Sequence, residues 1–323
     1  MNSIGAQLDT LAPHVKVEAD GDWPVRWVAT DRSFSLEALL AQSSALLRLQ
    51  LCERGAVLLR GFAVASAREF GDAMKAFGAK PLAYQERSTP RTHIEGALYT
   101  ATEYPAREPI FLHNENAYAS HWPRFVAFFC ERPAEVGGAM TLADTRDVYR
   151  GVPADVRHAC ETRGLSYLRR FIAGVGYSWQ EAFGVREEAE LARVLAALGY
   201  LTQWDGDQCV VQRASTWTML HPETDEPLWF NHGVFFNAMS LPEATRRAFE
   251  QLFGAQGYPF QTTYRDGSPI DEPTYRAIKK AYVQASRRLL LQRSDVLLLD
   301  NLLTAHGREA YEGQRRHYVM MLD

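Results

Sequence analysis

The chain has 323 residues, 46% of them hydrophobic and 23% charged, and a formal net charge of −4 at pH 7 spread over well-mixed acids and bases. That is enough apolar chain for one large core, and it lacks the basic footprint that nucleic-acid binding requires. No apolar run approaches the about 20 residues that span a bilayer, and the first residues lack the charged-then-apolar pattern of a secretory leader, so the expectation is a soluble, cytoplasmic globular enzyme with no membrane role.

Residues 1–33 read as an N-terminal arm or edge strands, with Val25-Arg26-Trp27-Val28 as a strand-like patch. Ser35 can cap a helix running to about Leu51, where apolar residues recur at three- and four-residue intervals, and Gly55 ends it. A buried strand follows at Ala56-Val57-Leu58-Leu59-Arg60, and Ser66 with Glu69 opens a second helix through a capping-box pattern. The polar, proline-punctuated segment from Tyr84 to Tyr104 is too rich in hydrogen-bonding side chains for core. It reads as a surface loop or as an active-site lid, with about 84–122 holding the lid and the first metal ligands.

Strands are expected at 124–130 and 140–143, on either side of the Gly137-Gly138 turn, and helices near 153–163 and 186–199. Several short strands should fill 201–235, including 209–212 and 227–231, before helices near 242–254 and 272–288 and closing strands at 296–299 and 316–320. Cys52, Cys130, Cys160 and Cys209 are widely separated with no C-x-x-C pair, which suits buried free thiols in a reducing compartment. No repeat or linker divides the chain. Residues 1–323 therefore read as a single mainly β domain, a jelly-roll barrel within a helical shell.

Two stretches carry metal-binding side chains. In Phe111-Leu112-His113-Asn114-Glu115-Asn116-Ala117-Tyr118, an extended backbone aims His113 and Glu115 at one point while Asn114 faces away. Asn116 and Tyr118 share the ligands' parity if the strand persists. Downstream, the apolar run Leu297-Leu298-Leu299 ends in Asp300-Asn301, with His306 just beyond it. Two histidines and a carboxylate leave open positions on an octahedral ion, as in non-haem ferrous oxygenases, and the same three ligands can hold a hydrolytic zinc.

His113-Asn114-Glu115, the Gly137-Gly138 turn, and Asp300-Asn301 followed by His306-Gly307-Arg308 and Gly313-Gln314-Arg315-Arg316 together resemble the taurine dioxygenase (TauD/TfdA) superfamily of Fe(II)/2-oxoglutarate-dependent oxygenases. Glu86-Arg87-Ser88-Thr89-Pro90-Arg91, Tyr99-Thr100-Ala101-Thr102-Glu103-Tyr104-Pro105 and Trp229-Phe230-Asn231 resemble its SyrP-like branch, found in natural-product pathways. The resemblance runs from about residue 55 to the C-terminus. It implies a double-stranded β-helix (jelly-roll) core flanked by an α-helical shell, with His113, Glu115 and His306 holding ferrous iron.

The resemblance also implies 2-oxoglutarate and dioxygen as co-substrates, with an arginine after the last ligand anchoring the far carboxylate of the keto acid. Arg315 matches best; Arg316 is adjacent, and because successive strand residues point to opposite faces only one of them can serve. The superfamily's threonine two residues after the paired glycines is Met140 here, with Thr141 next, so Thr141 is a carboxylate contact only if the strand shifts by one residue. Retention of Glu115 implies hydroxylation rather than halogenation, with desaturation or cyclisation as alternatives on the same ligand set. Arg87, Arg91, Thr102, Glu103, Asn116, Tyr118 and Asn231 are the candidates for recognising an amino-acid-like substrate, free or tethered to a carrier protein. A zinc hydrolase and a non-catalytic regulatory protein on the same fold are the competing readings.

Overall fold

The computed structural model describes residues 14–18, 23–206, 208–255 and 257–323, so the reading of 1–13 as part of an arm lies outside the described residues. β1 (Val15–Glu18) and β2 (Val25–Ala29) precede a helix over Leu36–Arg54, then β3 (Ala56–Arg60) and a helix over Ala67–Ala76. β4 (His93–Glu95), β5 (Leu98–Thr100), β6 (Ile110–His113), β7 (Phe125–Arg132), β8 (Val136–Gly137) and β9 (Met140–Asp144) follow, and helices span Thr145–Gly151 and Ala154–Arg163. Next come β10 (Leu165–Phe171), helices over Trp179–Phe183 and Glu188–Ala197, β11 (Leu201–Asp205), β12 (Gln208–Ser215), β13 (Met219–Leu220) and β14 (Pro227–Leu228). After the helix Glu243–Phe253 and β15 (Phe260–Thr263), a helix over Glu272–Ala285 leads into β16 (Ser286–Leu289), β17 (Val296–Asp300), β18 (Thr304–Arg308), β19 (Tyr311–Glu312) and β20 (Arg316–Leu322).

Eight strands form the larger sheet in the order β1-β2-β3-β17-β7-β20-β5-β4, and four form the smaller in the order β16-β9-β18-β6. Period-two side-chain alternation sorts the strands' residues between faces. Ala56, Leu58, Leu297 and Leu299 of the larger sheet meet Met140, Leu142 and Leu289 of the smaller in one inner core. Val57, Leu59, Val296 and Leu298 point the other way and pack under the helices Leu36–Arg54 and Ala67–Ala76. The outer face of the smaller sheet is covered by the helices Thr145–Gly151 and Glu272–Ala285. This is the jelly roll in a helical shell. A separate sheet, β11-β12-β10-β15, carries the inserted middle of the chain.

Local chemistry explains the boundaries. Ser35 accepts from the Ala38 N–H to start the first helix, and Gly55 ends it in the left-handed region at φ 75°. A side chain at Gly55 would also collide with Thr304 Oγ1, which bonds the Gly55 carbonyl at 2.9 Å. The helix expected to reach residue 288 stops at Ala285 because Ser286–Leu289 pair with β9 instead, and the strand expected over 227–231 covers only Pro227–Leu228. All four cysteines are free, three buried and Cys52 partly so. No helix among the described residues is long and apolar enough to cross a membrane.

The corner after β17 ties the two halves of the domain together. The buried Asn301 side chain accepts the Glu115 N–H at 2.7 Å and donates to the carbonyls of Glu115 at 3.0 Å and Pro123 at 2.8 Å. Asn114, turned away from the metal-binding side chains, donates to the Asn301 carbonyl at 2.6 Å. Replacing Asn301 by alanine strands three buried backbone groups. Asn301→Ala is expected to lower unfolding free energy by about 3 kcal/mol and weaken metal binding about tenfold, read by urea denaturation and metal titration. Stability and affinity both at the parent level would refute the clamp.

Candidate active site

β6 delivers His113 and β18 delivers His306 as direct cross-strand partners, their rings 4.6 Å apart. The chain leaves the strand after His113, and Glu115 comes in from the following turn. Candidate ligand atoms of these three buried residues lie within 4.8 Å of one another, the one such group of His, Cys, Asp and Glu among the described residues. Glu115 Oε2 is 3.7 Å from His306 Nε2. The His113 Nδ1 sits 2.8 Å from the Phe111 carbonyl, which makes Nδ1 the donor and leaves Nε2 as the ligand atom. Gly307 permits the close strand approach, since a Cβ there would lie 2.5 Å from the Ile110 carbonyl.

Arg91 donates from Nη2 to Glu115 Oε2 at 2.8 Å, in a pair almost wholly shielded from solvent, and lies over the Tyr84 ring. Burial alone would raise the Glu115 carboxyl, but Arg91 and the two histidines outweigh it and hold it well below the ordinary range. Burial and the nearby His306 push His113 down to about 3. A carboxylate and a neutral imidazole are the forms that bind a metal.

Arg91, Thr102, Ile110, Phe128, Met140, Arg308 and Arg315 complete a cavity around the two histidines. The Arg315 Nη2 donates to His317 Nδ1 at 2.7 Å, while its buried Nε has no partner among the described residues. Burial, then the neighbouring charge of Arg308, pulls the Arg315 guanidinium down to about 10. Arg308 is occupied otherwise: it donates to the backbone carbonyls of Tyr104 (3.3 Å), Pro105 (2.8 Å) and Glu108 (2.6 Å). It pairs with neither Asp300, which binds Arg124, nor Glu309, which binds Arg288. Two imidazoles and one carboxylate on one wall, with a carboxylate-free arginine across the cavity, fit a divalent ion chelated by a dicarboxylic keto acid.

Several of the residues singled out in the sequence lie elsewhere. Arg316, the first residue of β20, is exposed and pairs with Glu131, while Arg315 just before the strand lines the cavity. Thr141 stands on the outer face of β9 opposite Gly307, while Met140 lines the cavity, so the strand has not shifted and the threonine contact is missing. Arg87 donates to the Tyr84 carbonyl and lines a cleft on the far side of the lid. Glu103 is exposed and collects hydrogen bonds from Thr92 and Thr100. Asn231 closes its own turn, bonding the Trp217 carbonyl and the Gly233 N–H.

Asn116 and Tyr118 lose the ligands' parity because Asn116 adopts φ 55° and the strand ends. Asn116 turns toward Met321, and the Tyr118 hydroxyl donates to the Glu86 carbonyl at 2.8 Å. Of the expected substrate contacts, Arg91 and Thr102 reach the metal cavity.

Other residues at the site carried little signal. Phe235 stacks on the His113 ring at 4.7 Å and the buried His232 lies 5.6 Å from it, in a stretch that reads as ordinary apolar sequence. His317 is one more strand residue until its contact with Arg315 is seen. Glu86 is buried at φ 49° and anchors the start of the lid, its carboxylate accepting from Ser120 and Tyr200.

These buried imidazoles set a pH dependence. His113 titrates near 3 rather than its ordinary 6.5, and burial holds His232 and His317 well below theirs. The unfolded chain therefore binds more protons across that window, so stability falls as pH drops through it; the depressed Glu115 adds the same sign below its ordinary 4.5. The metal-free protein should show a urea midpoint that declines steadily from about pH 7 to about pH 5. A midpoint that holds or rises over that interval would contradict the buried neutral histidines.

Comparisons with known proteins place the chain in a family. The family model described as "Taurine catabolism dioxygenase TauD, TfdA family" matches residues 20–322. The dapdiamide synthesis protein DdaC of Enterobacter agglomerans is 31% identical over 274 residues, 84% of this chain and 83% of that protein. Among solved structures, PvcB from Pseudomonas aeruginosa aligns with a TM-score of 0.57 at 16% identity, covering 95% of this chain and 91% of its own. An asparagine oxygenase aligns with a TM-score of 0.53 at 15% identity over 88% and 79% of the two chains. The chain belongs to the TauD/TfdA family and is a non-haem Fe(II)- and 2-oxoglutarate-dependent dioxygenase.

Proposed function

We propose that the enzyme hydroxylates an unactivated C–H bond of a free amino-acid-like substrate in a natural-product pathway, with His113, Glu115 and His306 as iron ligands. Ferrous iron with 2-oxoglutarate and dioxygen supplies an oxidant strong enough for such a bond, the keto acid leaving as succinate and carbon dioxide. The chain's own residues bind, orient and exclude water. Arg315, steadied by the neutral His317, takes the far carboxylate of 2-oxoglutarate, and Phe128 and Met140 wall that space from solvent. Glu115 fills the position that a halogenating site would leave open, which favours hydroxylation.

Arg91 carries the substrate reading. It is buried beside the metal carboxylate, and both its Nε and Nη1 lack a hydrogen-bond partner among the described residues. A buried guanidinium with free donors suits a carboxylate, and a carrier thioester carries no such charge. The relatives support the class: DdaC is named for dapdiamide synthesis, PvcB for an isonitrile synthetic pathway, and the asparagine oxygenase holds 3-hydroxyasparagine with succinate.

The test is a screen of amino acids as free acids and as carrier-bound thioesters, read as substrate-dependent succinate and a product one oxygen atom heavier. Turnover of thioesters alone would remove the role given to Arg91, and a product lighter by two hydrogens would replace hydroxylation with desaturation. Arg315→Leu is expected to raise the KM for 2-oxoglutarate about 10- to 100-fold, with Arg316→Leu within about twofold of the parent. His317→Leu should shift the same KM in the same direction by less, with His317→Gln retaining part of the effect through its amide acceptor.

A further inference from the structure

A second cavity, about 300 Å³ in volume, opens beside the metal cavity, and the two share Thr102 and Ile110. Its wall is aromatic and aliphatic, built chiefly from Phe111, Phe235, Phe236, Leu241, Pro259 and Phe260. Phe235 is also the ring stacked on His113, so the space lies directly against a metal ligand.

Polar side chains line it too, and those set among the rings are already engaged. Thr89 Oγ1 meets the Tyr84 hydroxyl at 3.3 Å, and Thr102 Oγ1 accepts from Arg91 at 3.3 Å. Asn237 accepts from the Met239 N–H and donates to Thr262 Oγ1, and Ser240 donates to the Phe235 carbonyl. The charged residue of the lining is Glu108, exposed at the rim beside Tyr104. A charged or carboxamide group placed among these rings would shed its water and find few free partners to replace it. An alkyl or aryl group sheds nothing it needs and removes apolar surface from water.

We propose that the substrate's side chain is apolar, an aromatic or branched-alkyl group seated in this cavity, with the charged ends of the molecule held at Arg91 and at the rim. This assignment rests on the amino-acid oxygenase reading above and names the class of amino acid.

The experiment separates the two. Under anaerobic conditions, 2-oxoglutarate added to the Fe(II) enzyme gives a visible charge-transfer absorbance band when it chelates the iron; its absence would sink the oxygenase reading itself. With the band present, calorimetric binding and substrate-dependent succinate are measured for leucine, methionine and phenylalanine against asparagine, aspartate, glutamine, glutamate and lysine. The apolar compounds should lead their near-isosteric polar counterparts at least about tenfold in both measurements. Leu241→Glu, which sets a carboxylate in the wall, should cut that lead at least about tenfold while the band still forms. A leading charged or carboxamide side chain, equal binding across the panel, or no response from any member overturns the proposal.

Discussion

One buried carboxamide holds the active site in register. Asn301 sits where β17 ends, and its side chain reads both the N–H and the carbonyl of Glu115, a residue 186 positions away in sequence. Glu115 lies on no strand, so nothing in the sheet ladders places its backbone. The neighbouring histidines need no such help, because His113 and His306 face each other across adjacent strands. The triad thus combines two donors placed by sheet pairing with a third placed by one side chain. The buried backbone groups around Glu115 have no water to turn to, which gives the clamp its energetic weight.

Charge organises what surrounds that clamp. Arg91, Arg308 and Arg315 converge on the cavity, yet they do different things. Arg91 neutralises the Glu115 carboxylate and keeps two nitrogen donors in reserve, Arg315 faces a neutral histidine, and Arg308 spends its Nη donors on backbone carbonyls. Concentrating positive charge in a desolvated space is unfavourable without anions, as the lowered Arg315 guanidinium shows. An anionic ligand relieves that cost, so the electrostatics of the cavity favour one.

Residues whose placement follows from period-two alternation were legible in the sequence. The inward aim of His113, at the end of β6, follows from an extended backbone. The jelly roll was legible in the many short strands wrapped by helices. What failed was extrapolation past a strand end: Asn116 and Tyr118 depend on a left-handed residue that no periodicity announces. Polarity also misled. Arg87, Glu103 and Asn231 are polar because they satisfy loop backbone and each other, a demand that produces the same composition as a binding surface. Phe235 was hidden by the converse ambiguity, since an aromatic residue lining a cavity and one filling a core look identical in sequence.

Arg308 fixes one rim of the cavity to the sheet. It projects from the same strand as the candidate ligand His306, two residues away, and grips three carbonyls between Tyr104 and Glu108. Lifting that rim would break all three charge-assisted bonds at once or drag the ligand strand with it. Displacing the chain between Tyr104 and Glu108 therefore carries a cost set by β18, which couples movement at this rim to the strand that bears His306.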